Sequence, residues 1–182
     1  MDPYLQRAHD TLQQSAANLS IDQLTVRPPS KWNIGEILEH LGRAYSGTTA
    51  GAKRTVATNT PLAGTAALPH MFRTFVVVGC GYLPSGRAAP KSTVPVGIDP
   101  STALAVALEN LREMDAALDE AALHFGAELK LMDHPIIGPL SVRQWRKFHW
   151  IHTRHHVRQI AARISRAQGS AGSLTQTHDA NR

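Results

Sequence analysis

The sequence predicts an all-α protein, a four-helix bundle with a long crossover between its second and third helices. Three observations predict it. Four segments repeat apolar residues at the period of an α-helix. No segment alternates apolar with polar residues between hairpin turns. About forty residues rich in Gly, Pro, Ala and Thr separate the second helical segment from the third, far more than an ordinary helix connection needs. A chain of 182 residues fits one domain. Residues 1–168 are expected as the bundle, and 169–182, which are small and polar without periodicity, as a disordered tail.

The first helix is expected from about Pro3 to Leu19. Leu5, Ala8, Leu12, Ala16 and Leu19 form one stripe, and Pro3 suits a first turn, where a backbone N–H has no intrahelical partner to lose. The second starts at Asn33, which with Glu36 has the spacing of a reciprocal cap, and continues through Ile34, Ile37, Leu41, Ala44, Tyr45 and Thr48. Within the crossover, Met71 to Val78 is read as a short helix packed on the bundle, although its periodicity fits a strand as well. The third helix opens at Asp99-Pro100, repeats Leu104, Leu108, Leu111, Leu118, Ala122 and Phe125, and stops near Gly126. The fourth follows Gly138-Pro139, opens at Ser141 with Gln144 as its cap partner, and runs to about Ala167. On it Trp150, Val157 and Ile164 form a seven-residue stripe expected to pack in the core.

Composition narrows the function classes. Cys80 is the only cysteine, so neither an intramolecular disulfide nor a thiolate cluster for zinc or iron–sulfur can form. Flanked by Gly79 and Gly81 with no neighbouring base, it reads as a small buried hydrophobe. Met1-Asp2-Pro3-Tyr4 has no basic stretch leading into an apolar one. The longest apolar stretch, Phe75 to Leu83, is well short of the ~20 residues a membrane helix needs. A soluble cytoplasmic protein with no membrane partner is the expectation.

The net charge of +5 invites a nucleic-acid reading, but its distribution argues against a nucleic-acid partner. Arg143, Lys147, Arg154 and Arg158 project about 180–240° from His152 around the fourth helix. A solvated outer ridge without interleaved aromatics is expected there. Arg163 and Arg166 share the azimuth of the histidines further along, placed to meet the helix C-terminus or an acidic group of a substrate.

The histidines carry the chemistry. Of ten, His149, His152, His155 and His156 fall within eight positions, an event expected on the order of 0.1 times by random placement. Taking His152 as zero, His156 lies at about 40°, His149 at about 60°, and Trp145 and Gln159 within about 20° on either side. His155 lies on the flank. Imidazoles at i and i+4 bracket a single ion with bonds of about 2.0–2.1 Å. A third ligand must then come from another helix. His40 is the best candidate, at the edge of the apolar arc of Ile37, Leu41 and Ala44. Glu36, one turn earlier, is placed to hydrogen-bond a ligating imidazole, to be a fourth ligand, or to act as a general base. Zinc or a related nitrogen-preferring ion suits this set. His9, His70, His124 and His178 are read as ordinary residues, and His134 lies in the loop before the fourth helix, placed either to line a pocket mouth or to have no role.

Three segments together have a familiar pattern: Lys31-Trp32-Asn33-Ile34-Gly35-Glu36-Ile37-Leu38-Glu39-His40-Leu41; His134-Pro135 to Gly138-Pro139-Leu140; and Phe148-His149-Trp150-Ile151-His152-Thr153-Arg154-His155-His156-Val157-Arg158-Gln159. The chain resembles the DinB-like superfamily of bacterial metal-binding four-helix bundles, in a branch long labelled a domain of unknown function. The likeness spans residues 1–167. The resemblance implies an up-down-down-up bundle holding one divalent ion, commonly nickel or zinc, on His40, His152 and His156, and a homodimer. It also implies thiol transfer or isomerisation with bacillithiol, mycothiol or glutathione, or hydrolysis. His156-Val157-Arg158-Gln159 departs from the commoner His-His-Arg-Gly-Gln ending of the thiol transferases.

The first functional expectation is therefore a metal-dependent enzyme acting on a small-molecule substrate. Its ion, nickel or zinc with manganese as a further candidate, would activate water or a low-molecular-weight thiol as co-substrate. Glu36 or His149 would accept the proton or support a ligand, Trp145 would wall the pocket, Gln159 would support the site, and Met71 to Leu83 would cover it. The alternative is a non-catalytic metal-binding or stress-associated interaction protein, favoured if a protein ligand such as Glu36 closes the shell.

Overall fold

Asp2 accepts a hydrogen bond from the Tyr4 backbone N–H at 2.8 Å, and Pro3 occupies the first turn of helix α1 (Pro3–Ala16). The helix begins where an acceptor is wanted and a donor is not. Leu5, Ala8, Leu12 and Ala16 are its buried stripe. The computed structural model describes residues 1–62, 68–84 and 88–176, with side chains as far as Arg166. A five-residue helix, α2 (Ile21–Thr25), follows α1. Five residues are too few to show a period, but the signal that marks it is present: Ser20 and Gln23 cap each other reciprocally.

The other long helices start at the expected caps. Asn33 and Glu36 form the capping box of α3 (Ile34–Thr58), which ends on Asn59 in the left-handed conformation. Asp99 caps α5 (Pro100–Phe125), and Gly126 ends it. Ser141 and Gln144 exchange hydrogen bonds at 3.1 and 3.3 Å at the start of α6 (Val142–Gln176). That helix passes the expected end near Ala167, and residues 177–182 of the expected tail lie outside the described residues.

Within the crossover the expected short helix is α4 (Leu68–Thr74), continued by a π-helical turn over Phe75–Gly79, and a 3₁₀ turn follows at Lys91–Thr93. Val77 and Val78 are buried against the core, whereas Leu68, Met71, Phe72 and Phe75 are exposed. Cys80 is also exposed, which corrects its reading as a buried hydrophobe. The π turn ends at Gly79 and leaves Cys80 outside the packed face.

The prediction of a purely helical chain needs one correction. Strands β1 (Lys130–His134) and β2 (Gly138–Ser141) form an antiparallel hairpin with Met132 opposite Leu140 and His134 opposite Gly138. Its strands are four or five residues long, Pro139 interrupts the donors of one, and a register irregularity between Lys130 and Met132 breaks the alternation. No period-two signal survives that combination. Gly138 is required twice: its φ is +91°, and a Cβ there would lie 2.6 Å from His70 Cγ, where α4 packs on the hairpin.

In the core α3 packs along α5 and α1 along α6. Close approach of α3 and α5 rests on Gly42, where a Cβ would meet the Ala107 Cα at 3.3 Å, and on Asn110 donating to the Gly42 carbonyl at 3.1 Å. Fully buried Leu5, Leu12, Ile37, Leu41, Leu111 and Leu118 fill the interior, each contributing about 1.5–3 kcal/mol. Trp150, Val157 and Ile164 pack against this core as expected. Among the described residues no helix is long and apolar enough to cross a membrane.

Candidate metal centre

The interior face of α3 presents His40, and the facing stripe of α6 presents His152 and His156, one turn apart. All three are buried. His152 Nε2 lies 3.1 Å from His40 Nε2 and 3.1 Å from His156 Nε2, and among the described residues these three form the one cluster whose ligand atoms, all within 4.8 Å of one another, suit a metal ion.

The surroundings decide which nitrogens carry protons. His40 Nδ1 donates to the Thr93 carbonyl at 2.8 Å, and His156 Nδ1 donates to Gln159 Oε1 at 3.1 Å. Both rings therefore present bare Nε2 lone pairs to His152. A proton on His152 Nε2 can serve one of them well and leaves the other facing a poor partner. His152 Nδ1 is buried and has no partner among the described residues. A cation that accepts all three lone pairs resolves the conflict, and separations of 3.1 Å fit nitrogens bonded to one ion at about 2.0–2.1 Å. Electrostatics agree, because burial lowers the pKa of His40, holds that of His152 well below the usual value, and brings that of His156 down to about 3. Neutral imidazole is the ligand form.

Glu39, beside His40, positions the loop that orients it. Its carboxylate accepts from the backbone N–H groups of Val96, Gly97 and Ile98 at 2.7, 3.0 and 3.2 Å. Burial pushes that carboxyl up, but these donors, with Arg43, outweigh it and hold the pKa below the ordinary value. Arg43 also donates to the Ser92 carbonyl. The Thr93 carbonyl is thus fixed from two sides.

The triad opens on a cavity of about 1410 Å³. Trp145, His149 and Gln159 line it, and Phe72, Val76, Val77 and Leu83 contribute from the crossover. Phe148 stacks on His152, and Trp145 on His149, with ring centroids 5.5 and 5.7 Å apart. The expected proton acceptor, His149, is held differently from the triad. Thr48 Oγ1 donates to the Ala44 carbonyl and accepts from His149 Nε2 at 2.9 Å, leaving the buried Nδ1 without a partner among the described residues. Burial brings the His149 pKa down to about 3. It is a neutral buttress and a weak base.

Glu36 is committed elsewhere, which corrects its expected place at the site. One carboxylate oxygen accepts from the Asn33 N–H at 2.8 Å in the capping box, and the other pairs with Arg27. A residue at N3 of a helix is pulled back toward the cap, away from the next turn.

Three contributors escaped the sequence reading. The Thr93 carbonyl and Thr48 leave no sequence signal. Glu39 is signalled only by a carboxylate adjoining His40. His134, one of whose two expected places was a pocket mouth, comes from the hairpin and lines the cavity with Nδ1 accepting from the N–H groups of Ile136 and Ile137, and burial brings its pKa down to about 4.

The basic residues also depart from expectation. Arg143 is exposed and pairs with Glu128, but Lys147 donates to the Gly79 carbonyl and Arg154 to the Gly81 carbonyl. The crossover lies against this side of α6, so it is not a simply solvated ridge. Arg154, Arg158, Arg163 and Arg166 line a second pocket of about 370 Å³.

Searches of curated proteins and of solved structures return no match. The family model described as "Protein of unknown function (DUF1569)" matches residues 6–163, most of the chain, and the protein belongs to that family.

Proposed function

We propose that this protein is a divalent-metal-dependent enzyme of the DinB-like four-helix-bundle type, with one ion held by His40, His152 and His156. Nickel or zinc is the foremost candidate, then manganese, and the reaction is hydrolysis or thiol transfer on a small molecule. The observation that carries this reading is the convergence of three buried Nε2 atoms, two of which, on His40 and His156, are left bare because Thr93 and Gln159 hold those rings' protons on Nδ1. When bound, the ion supplies Lewis acidity, the means by which water or a thiol becomes a nucleophile near neutral pH.

The chain's own residues prepare the site. Thr93 and Gln159 hold the protons of His40 and His156 on Nδ1, and Glu39 keeps the Thr93 segment in place. Trp32 and Phe148 cover the faces of His40 and His152 against water. His134, with Nδ1 occupied by two backbone donors, keeps its proton on Nε2 and offers the cavity a hydrogen-bond donor. No carboxylate joins the triad among the described residues, and the cavity exceeds the usual volume for a small-molecule site. Both favour an enzyme over a closed, non-catalytic metal site.

The test is metal content of untagged protein by mass spectrometry, beside His152→Ala and His156→Ala. About one equivalent of ion in the wild type, lost in both variants, is expected. Folded wild type that stays metal-free after incubation with nickel, zinc or manganese overturns the reading.

A further inference from the structure

The smaller pocket, about 370 Å³, lies between α6 and two loop segments, residues 28–31 and 81–83. Lys31, Arg154, Arg158 and Arg163 line it together with His155, and among the described residues no carboxylate does. None of these four cations forms an ion pair with a carboxylate among the described residues. The ion pairs present lie elsewhere, around Asp2, Asp10, Glu36, Glu109, Asp115, Asp119 and Glu128.

Cations gathered in a concave site without counter-charge repel one another, and an anion relieves that repulsion. Two of them are already fixed. Arg154 donates to the Gly81 carbonyl at 3.1 Å, and Arg163 donates to the carbonyls of Trp32 and Gln159 at 2.7 and 2.9 Å. Lys31 and Arg158 are exposed and make no side-chain hydrogen bond among the described residues, so they are able to close on a ligand. Arginine forks match the oxygens of phosphate and carboxylate groups.

The pocket is continuous with the histidine cavity: Lys31, Leu83, His155, Gln159 and Arg163 line both. Gln159 is the joint. Its Oε1 accepts from His156 Nδ1 in the triad, and its Nε2 donates to His155 Nε2 at 3.0 Å in the pocket.

We infer that this pocket is an anion subsite of the histidine centre. The substrate is a small molecule with a phosphate or carboxylate group, held by Lys31, Arg154 and Arg158, while its reacting part extends past Gln159 toward the triad. This assignment rests on the proposal that the triad is the reaction centre.

Calorimetric titration of the full chain with inorganic phosphate and, separately, with succinate, at ionic strength held constant with sodium chloride, tests it. The variant is Lys31→Gln with Arg158→Gln, two exposed positions outside the triad and its hydrogen bonds. Saturable binding of at least one anion in the wild type, weakened tenfold or more in the variant at unchanged melting temperature and metal content, is expected. Tighter binding of phosphate or of succinate assigns the group. Absence of saturable binding, or equal affinity in wild type and variant, overturns the subsite. Metal content measured on the same samples separates the two readings. Metal-loaded protein that binds neither anion refutes the subsite alone, and protein that stays metal-free after incubation with nickel, zinc or manganese yet binds an anion refutes the metal centre alone.

Discussion

Arg146 and His152 stand six residues apart on α6, about 9 Å along its axis, yet the polar clusters they anchor are built differently. Around Arg146 the charges are complementary. Its guanidinium pairs with Asp119, lies 3.5 Å from Asp115 Oδ1 and 3.8 Å from Asp2 Oδ2, and the other Asp115 oxygen faces the N-terminal amine at 3.7 Å and the Asp2 N–H at 3.1 Å. Around His152 the groups are alike: three neutral imidazoles converge with too few protons to pair every Nε2, and no carboxylate joins them among the described residues. In the first cluster the fold sets opposite charges against one another, although Asp115 Oδ1 and Arg146 Nε are buried without a hydrogen bond among the described residues. The second requires something the chain does not supply. A buried charge is tolerated where an opposite charge faces it, so a cluster whose charges compensate one another is structural, whereas a cluster of like groups with nothing to compensate them marks a site for a ligand.

The comparison breaks most sharply on exchanging readouts between the clusters. His152→Ala is expected to abolish stoichiometric metal binding while the protein stays folded, since it removes a side chain whose Nδ1 had no partner. Metal retained at the wild-type level would erase the distinction. Arg146→Ala is the converse: a loss of about 3 kcal/mol in denaturant unfolding, the low end for removing one partner of a buried ion pair, with metal content unchanged.

Two smaller effects sharpen the difference. Gln159→Leu takes the acceptor from His156 Nδ1 and is expected to weaken metal affinity about 10- to 100-fold in competition with a chromophoric chelator. No change would mean that Gln159 does not orient the ring. Thr48→Val leaves His149 Nε2 unpaired and is expected to cost about 1–2 kcal/mol of stability with little change in metal affinity, because His149 is a buttress and not a ligand.

The least effect is a pH dependence in the charged cluster. Burial pushes the Asp115 carboxyl above its ordinary value of 3.8, and the Asp2 N–H and Arg146 do not fully oppose it. A folded-state value above the unfolded one means that this group's contribution to stability is complete below the unfolded value and is lost as the pH rises through the folded one. Asp115→Asn has no such titration. Its melting temperature relative to wild type is expected to climb from pH 3.8 toward neutrality, and a flat or falling difference contradicts the assignment.

What was legible in the sequence follows from what is local. Asn33 with Glu36 and Ser141 with Gln144 marked two helix starts because a cap is satisfied within four residues. His152 and His156 were legible as a pair because helical spacing alone puts them on one stripe, and His40 because it borders an apolar arc. Glu36 was misplaced for the same reason that the cap was read correctly: one carboxylate cannot both close a capping box, with Arg27 on its other oxygen, and serve the next turn. The hairpin over Lys130–His134 and Gly138–Ser141 was lost because its short strands gain their stability from packing, Leu131 and Leu140 being buried and Gly138 lying against His70.

By itself, then, the sequence determined the long helices, their caps and the imidazole stripe of α6, all set by periodicity and by hydrogen bonds between residues three or four apart. The tertiary structure alone decided that the Thr93 carbonyl, 53 residues from His40, sets that ring's tautomer. It decided that Glu39, not Glu36, secures the loop carrying that carbonyl, and that arginines expected in solvent line a pocket adjoining the histidines. Each of these depends on how the long crossover is folded back over α3 and α6, and a crossover without strong periodicity takes its course from the surfaces it packs against.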